Sequence, residues 1–325
     1  MNAEKITIDA LLGQAVGDAF GVPVEFMYRK EVRSLNLRDM VGKEDKLPFF
    51  SKWGHMIPRG VWSDDTSMAV ASMASIISHH GQIDWEDHLR QFNSWWTESK
   101  YCCQYAPFGL GGNTSVALHW YRMGRPALEC GGKGLMDNGN GALMRILPFS
   151  LHCIFRGMDT EETVQVISNG SAITHGHDIS KMSCLIWTEF LRSLAEGKSP
   201  DEAVAHVESL PYGRWFSEEA LGALDVIMRR ETRALTENDI GQTGYVVDTL
   251  YSAFYSLLHA DSFEESILNA VNLGYDTDTA GAVTGMAAGI LYGKDGIPER
   301  WMDRLQKRDE LEQYARDFAA CYPES

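Results

Sequence analysis

Two glycine repeats constrain the fold of this chain more than any other feature of its sequence. In two otherwise apolar segments a glycine stands at every fourth position, at 13, 17 and 21 and again at 281, 285 and 289. This spacing places each trio on one face of an α-helix, where each glycine costs roughly 0.5 to 1 kcal/mol relative to alanine. Such faces favour close approach of another backbone, although a buried face that merely tolerates small residues is the alternative. We expect helices over 11–21 and 278–291 to pack antiparallel, which would bring Glu25 beside Asp276.

The rest of the chain also follows a helical period. Apolar residues recur at intervals of three and four in the segments 6–20, 67–77, 163–173, 179–194 and 246–258, whereas the alternation typical of strands is hard to find. Glycine and proline separate about a dozen such segments without a long linker. The sequence therefore predicts an all-α fold, built as a single compact multi-helix domain over residues 1–325.

Composition excludes some classes of partner. With 45 acidic and 29 basic residues the formal net charge is -16, so nucleic-acid affinity through a basic surface and binding to anionic membranes are both disfavoured. The six cysteines include no Cys-x-x-Cys pair and are interpreted as reduced thiols. Neither a signal peptide nor a membrane span is recognised. We expect a cytoplasmic protein without membrane contact.

Two acidic clusters are the candidate functional residues. They read Ser63-Asp64-Asp65-Thr66 and Asp276-Thr277-Asp278-Thr279, and each opens a helix-like segment. Helix capping explains one aspartate per helix, but paired carboxylates repel each other unless a cation neutralises them. Carboxylate and hydroxyl oxygens are the ligands that Mg²⁺ and Mn²⁺ prefer. The pattern favours a site for two such ions over capping, which stays open as the alternative.

Six short motifs occur in order along the chain. They are L-L-G-Q-A-V-G-D-A-F-G-V-P-V-E-F at 11–26, W-S-D-D-T-S-M at 62–68, G-N-T-S at 112–115, G-N-G-A-L-M-R at 139–145, T-H-G-H at 174–177 and G-Y-D-T-D-T-A at 274–280. In this order and spacing the chain resembles the ADP-ribosylglycohydrolase family. The resemblance implies an all-α fold with a binuclear Mg²⁺ or Mn²⁺ site in a cleft. Its partners would be an ADP-ribosylated protein as substrate and ADP-ribose as product.

The resemblance also assigns metal ligands by position. They would be Ser63, Asp64, Asp65, Asp276, Asp278 and Thr279. In the expected mechanism a carboxylate such as Asp65 would accept a proton from the attacking water, and Glu25 is one candidate proton donor to the departing group, with water as the alternative. Glu25 matches an acidic residue that lies by the metals in serine-directed members of the family. An ordinary solvated glutamate is the alternative.

Further motif residues would bind the substrate. The loop Gly139-Asn140-Gly141 precedes a helix that we expect to begin near Ala142, and a helix N-terminus can receive a phosphate. The resemblance implies that this loop cradles ADP. A simple turn is the alternative. Asn113 and Thr114, before a helix expected over 115–123, would line the ribose and pyrophosphate. His175 would contact the nucleotide, unless it is a structural histidine.

The chain departs from the family pattern at two places. Ser63 stands where threonine is usual, a change that keeps the hydroxyl oxygen. The segment Phe108-Gly109-Leu110-Gly111-Gly112 stands where arginine-directed members often carry Phe-Asp-Ile-Gly, so an acid is missing or displaced. This departure leaves the preferred linkage open.

The expected activity is hydrolysis of the bond between ADP-ribose and an arginine side chain, which releases free ADP-ribose. A serine linkage or O-acetyl-ADP-ribose is an alternative substrate. A non-catalytic ADP-ribose-binding or structural relative is a second alternative. A dinuclear phosphohydrolase is a third, and it would release AMP instead of intact ADP-ribose.

Overall fold

α-Helices make up the regular secondary structure. The computed structural model describes residues 2–48 and 51–322, which contain short 3-10 turns, two isolated β-bridges and sixteen α-helices. The helices are α1 (Ala3–Gly21), α2 (Arg29–Ser34), α3 (Asp64–Ser78), α4 (Trp85–Glu98), α5 (Gly112–Arg122), α6 (Leu147–Phe155), α7 (Thr160–Ala172), α8 (Asp178–Ala195), α9 (Pro200–Val207), α10 (Glu218–Ala223), α11 (Asp225–Met228), α12 (Val246–Leu258), α13 (Phe263–Val271), α14 (Thr277–Tyr292), α15 (Glu299–Met302) and α16 (Arg308–Ala319). The all-α prediction is confirmed.

The five periodic segments correspond to α1, α3, α7, α8 and α12. The segment 246–258 matches α12 at both ends, whereas α3 and α7 begin three residues before their predicted starts. Those first turns are polar, because Ser63 and Asp159 cap the two helices and acidic residues follow. Apolar periodicity does not register a capped polar turn.

Helices α1 and α14 lie antiparallel with their backbones in direct contact, as the glycine repeats predict. A Cβ atom added to Gly17 would collide with the carbonyl oxygen of Gly281. A Cβ on Gly21 would likewise collide with the backbone of Thr277, whose Oγ1 donates a 2.8 Å hydrogen bond to the Gly21 carbonyl. A face that merely tolerates small residues is therefore ruled out, because alanine would already be too large.

The remaining core holds this helix pair in place. Helix α8 packs against α6, α7, α9, α12 and α14, and its Trp187 and Phe190 form an aromatic cluster with Phe254 of α12, with ring centroids 5.0 to 5.4 Å apart. A second buried cluster joins α3, α4 and α5 through Met68, Trp95 and neighbouring residues. None of the described helices has the length and apolar character needed to cross a membrane.

Replacing Gly17 by alanine should destabilise the protein by about 1 to 3 kcal/mol or more, because the added methyl group meets backbone and cannot be relieved by a rotamer change. Gly222 in α10 provides the matched control, since it is exposed and a Cβ there meets nothing within 4 Å. Gly222→Ala should be neutral or stabilise by about 0.5 to 1 kcal/mol. Thermal unfolding of both variants tests this, and equal melting points would contradict the packing argument.

Candidate functional site

A cavity of about 290 Å³ opens where the N-termini of α3 and α14 meet, and we call it the cleft. Every residue predicted for the site except Ser63 lies in its wall: Glu25, Asp64, Asp65, Asn113, Thr114, Gly139, Asn140, Gly141, His175, Asp276, Asp278 and Thr279. Ser63 does not line the cavity. It is the N-cap of α3, and its Oγ accepts a hydrogen bond from the Asp65 amide at 3.2 Å. The structure thus brings together segments that are far apart in sequence.

The carboxylates of the cleft form two groups that share one member. Oxygens of Asp18, Asp65 and Asp278 lie within 4.8 Å of one another, and so do oxygens of Glu25, Asp276 and Asp278. The predicted proximity of Glu25 and Asp276 is therefore correct. Asp278 belongs to both groups, which makes it the central carboxylate of the site.

The donor set fits hard divalent cations. Oδ2 of Asp65 and Oδ1 of Asp278 are buried, and none of the described residues donates a hydrogen bond to either oxygen. A buried carboxylate oxygen without a partner is costly, and a divalent cation with oxygen ligands would remove that cost. Thr279 adds a hydroxyl, 3.5 Å from Oδ1 of Asp65.

Helix capping explains the first cluster in part and does not explain the second. Ser63 caps α3, but the N-cap of α14 is Asp276, whose side chain makes no capping hydrogen bond. Its Oδ2 instead accepts from Nδ2 of Asn140 at 2.8 Å. The acidic residues of α14 therefore face the cleft and not their own helix end.

Sequence reasoning missed Asp18 of α1. Its carboxylate is fully buried and accepts hydrogen bonds from the amides of Ser63 and Thr66, at 2.9 and 3.1 Å, and from Oγ1 of Thr66 at 2.6 Å. Asp18 thereby ties the first turn of α3 to α1 while reaching the shared carboxylate group. Asp18 is the one charged residue in the segment 15–21, which otherwise holds only alanine, valine, glycine and phenylalanine, and this was the signal that could have identified it.

Burial raises the pKa of the cleft carboxyls. It is the largest cause at Asp18, where the pKa rises to about 6 although hydrogen bonds from Thr66 and Ser63 oppose the rise. Burial also raises the pKa of Asp64 to about 8, with the negative charge of Asp18 as the next cause. At Asp65 and Asp278 burial and neighbouring carboxylates raise the pKa well above 3.8. Without a cation the cluster resists full ionisation.

Glu25 is a buried member of the site, so its interpretation as an ordinary solvated glutamate is wrong. Its side chain accepts a hydrogen bond from Nε1 of Trp53, and the residue is only 7% exposed. Burial, followed by the charges of Asp276 and Asp64, raises its pKa to about 9. A carboxyl with such a pKa retains its proton at neutral pH and can act as an acid.

Two residues with left-handed backbone conformations join the segments that carry Glu25 and Asp276. Phe26 has φ 65° and Tyr275 has φ 69°, which is uncommon for residues with a side chain. The Phe26 amide donates to the Tyr275 carbonyl at 2.6 Å, and the Tyr275 amide donates to the carbonyl of Met27 at 2.6 Å. These reciprocal hydrogen bonds fix the two acidic residues relative to each other.

The loop at 139–141 differs from its prediction. No α-helix begins near Ala142; a 3-10 turn over Leu143–Arg145 precedes α6, which begins at Leu147. Pro148 lacks the amide hydrogen that a helix continuing from this loop would need. The loop therefore does not present a helix N-terminus to the cleft, and the side chain of its Asn140 binds Asp276 and Thr249.

Helix α5 supplies the helix N-terminus instead. It begins at Gly112 and not at 115, so Asn113 and Thr114 belong to its first turn. Its N-cap is Gly111, which offers no side-chain acceptor, and a Cβ at Gly111 or Gly112 would meet nothing within 4 Å. The first amides of α5 are therefore open to an anion in the cleft.

Position 109, where the family pattern places an acid, has no room for a side chain. Gly109 has φ +88°, and a Cβ on it would collide with Oδ1 of Asp64. Any side chain here would be strained and would disturb the carboxylate of Asp64.

His175 lies with one nitrogen bound and the other towards the cleft. Its Nδ1 is 2.8 Å from Oγ1 of Thr174, and its Nε2 would lie 3.6 Å from a Cβ on Gly139. Burial, with the charge of Arg145, lowers its pKa to about 3. His175 is thus a neutral side chain in the wall formed by the 139–141 loop.

Comparison with known proteins agrees with this arrangement. The chain is 32% identical over 316 residues to "ADP-ribosylarginine hydrolase Tri1" of Serratia proteamaculans (strain 568), covering 97% of this chain and 79% of that protein. It is 30% identical to "ADP-ribosyl-[dinitrogen reductase] glycohydrolase" of Rhodospirillum rubrum, covering 94% and 92%. A solved structure described as "ADP-ribosylglycohydrolase-related protein complex" superposes with a TM-score of 0.76 at 28% identity, covering 99% of both chains.

The match to a family is continuous along the chain. The family model "ADP-ribosylglycohydrolase" matches residues 3–325, a range that includes α1, both acidic clusters and the loops of the cleft. The chain therefore belongs to the ADP-ribosylglycohydrolase family.

Proposed function

We propose that this protein hydrolyses the bond between ADP-ribose and an arginine side chain of a modified protein and releases free ADP-ribose. The observation that carries the proposal is the pair of buried carboxylate groups sharing Asp278 at the cleft. The arginine linkage is supported by the name of the Serratia relative. A cytoplasmic location remains part of the proposal.

Two Mg²⁺ or Mn²⁺ ions would be held by the two acidic clusters. The ligands would be Ser63, Asp64, Asp65, Asp276, Asp278 and Thr279, and the unpartnered oxygens of Asp65 and Asp278 support this assignment. When bound, the ions would neutralise the carboxylates and polarise oxygen atoms of the substrate and of water.

The side chains of the cleft would perform the proton transfers. Asp65 would accept the proton of the attacking water. Glu25, oriented by Trp53, would donate a proton to the departing guanidine.

The other walls of the cleft would hold the ADP portion. The open amides of α5 would receive the pyrophosphate, with Asn113 and Thr114 in the same turn. Because residues 139 and 141 are glycines, no side chain from either position fills the space next to the His175 ring. Asn140 would act indirectly, by orienting Asp276.

Arginine-linked ADP-ribosyl protein should yield free ADP-ribose in Mg²⁺ or Mn²⁺ and none in excess EDTA. The experiment incubates the protein with arginine- and serine-linked substrates and with O-acetyl-ADP-ribose, and follows the products by mass spectrometry. Faster release from serine or from O-acetyl-ADP-ribose would overturn the arginine preference. Release of AMP would indicate a phosphohydrolase. If no product is released from any substrate, the protein is a non-catalytic relative. Equal release of ADP-ribose in EDTA would contradict the metal-dependent mechanism.

Asp278→Asn should abolish most turnover and remove much of the rise in melting temperature that Mg²⁺ gives the wild type. A ligand present at about 100 times its dissociation constant stabilises the folded state by about 2.7 kcal/mol, and a neutral amide binds the ion more weakly than a carboxylate. In EDTA the variant should melt at or above the wild-type temperature, because one repelling charge is gone.

Asp159→Asn is the matched control for that variant. Asp159 caps α7 through a hydrogen bond from the Glu162 amide, at a helix end outside the cleft, and asparagine can cap equally well. This variant should keep both the metal-dependent rise and the turnover. If Asp278→Asn behaves like Asp159→Asn, then Asp278 is not a metal ligand.

Metal-free protein should lose stability as the pH rises from about 7 to 9, a range in which the buried histidines are neutral in both the folded and the unfolded state. Carboxyls with a raised pKa, about 6 at Asp18, 8 at Asp64 and 9 at Glu25, hold protons in the folded state that the unfolded chain has already released near pH 4. Their stabilisation is complete below that pH and is lost through the folded-state pKa values. Melting temperatures in EDTA at pH 7, 8 and 9 measure the fall.

The pH effect should reverse when metal is present, because the ions bind the deprotonated carboxylates. Mg²⁺ should therefore raise the melting temperature more at pH 9 than at pH 5. Glu25→Gln in EDTA should show a smaller decline than the wild type. A melting temperature that rises between pH 7 and 9 in EDTA would contradict the raised pKa values of Asp64 and Glu25.

A further inference from the structure

Arg145 is a buried cation for which the described residues provide no carboxylate partner. It is 0% exposed, and its guanidinium lies over the ring of Phe92 at 4.8 Å. Its Nη2 donates to the Gly170 carbonyl at 3.1 Å and to Oγ1 of Thr174 at 2.6 Å, whereas Nε and Nη1 find no acceptor within residues 2–48 and 51–322. Burying a charge with so few partners is costly, so a role in the fold alone is a poor explanation for Arg145.

The hydrogen bond to Thr174 determines where the proton of that hydroxyl goes. A guanidinium only donates, so the Thr174 oxygen accepts from Arg145. Among the described residues, the other hydrogen-bond partner of that oxygen is Nδ1 of His175, at 2.8 Å. If the imidazole donated to Thr174 instead, the buried hydroxyl proton would have no acceptor. Thr174 therefore donates to Nδ1, and the hydrogen of the neutral ring lies on Nε2.

Nε2 of His175 lies on the cleft side of the ring. It would lie 3.3 Å from a Cβ on Gly141, in the wall that the two glycines of the 139–141 loop keep open. The backbone of His175 is held by Ser171, whose carbonyl accepts from the His175 amide at 2.7 Å and whose Oγ donates to the His175 carbonyl at 2.8 Å. The ring is therefore fixed in position as well as in tautomer.

We propose that Arg145 is a positioning residue which, through Thr174, holds His175 in the tautomer that donates from Nε2 to an acceptor oxygen of the ligand. The identity of that ligand rests on the proposed function, since the phosphate and ribose oxygens of ADP-ribose are such acceptors. The positive charge of Arg145 adds to burial in lowering the pKa of His175 to about 3, so the ring stays neutral at working pH.

The test reads the tautomer directly and ligand affinity separately. Protein labelled with ¹⁵N-histidine gives the ring-nitrogen shifts of His175 by NMR without ligand, with His175→Gln to assign the signals, and calorimetry gives the affinity for ADP-ribose. The variants are Thr174→Val, Thr174→Ser and Arg145→Met. The control is Thr163→Val, which removes a comparable bond, since Arg192 donates to Oγ1 of Thr163 at 2.7 Å outside the cleft.

Wild type and Thr174→Ser should show the hydrogen on Nε2. Thr174→Val should show a mixture of tautomers and bind ADP-ribose about 10-fold more weakly, and Arg145→Met should shift the population towards Nδ1–H. Thr163→Val should match the wild type in both measurements. In a His175→Gln background, Thr174→Val should cause no further loss of affinity, because its effect passes through His175.

Three results would overturn the proposal: a wild-type ring protonated on Nδ1, an unchanged tautomer in Thr174→Val, or an equal loss of affinity in Thr163→Val.

Arg145→Met removes a buried side chain and is used only if its melting curve shows a folded protein. If this variant does not fold, the measurements on Thr174→Val are sufficient for the test. The tautomer is measured without ligand. The expected tautomer together with no binding of ADP-ribose would therefore overturn the proposed function and not the arrangement of Arg145, Thr174 and His175.

Discussion

The contact between the backbones of α1 and α14 positions the rest of the site. Because Gly17 meets the carbonyl of Gly281, the C-terminal half of one helix lies against the N-terminal half of the other. Asp18 of α1 and Asp278 of α14 then share one carboxylate group, and the chain leaving α1 places Glu25 at the other. A bulkier interface would separate the carboxylates and with them the oxygens that fit a cation.

Both helices and both clusters were predictable from sequence because they depend on local chemistry. Glycine spacing, apolar periodicity and paired aspartates are visible within one or two helical turns, and they sufficed to predict the antiparallel packing and the closeness of Glu25 to Asp276. Helix ends were less predictable. The starts of α5 and α6 depend on a glycine N-cap and on Pro148, and apolar periodicity reports neither.

The residues that sequence reasoning missed act through contacts between distant segments. Asp18 of α1 accepts hydrogen bonds from the amides of Ser63 and Thr66, which lie 45 and 48 residues away in sequence. Arg145 donates to Thr174, 29 residues away. Each is a polar residue in an apolar environment, which marks it as unusual, but its partner can be identified only when the chain has folded. The alternative interpretation of Glu25 failed for the same reason, since Trp53 covers it from a separate loop.

The paired left-handed residues Phe26 and Tyr275 make the two sides of the site mechanically dependent on each other. Each lies next to an acidic residue of the cleft, and reciprocal amide–carbonyl bonds connect the two segments. The position of Glu25 relative to Asp276 is therefore set by the backbone of these two short segments and not by the side chains alone. The two carboxyls also act on each other through charge, since Asp276 contributes to the raised pKa of Glu25.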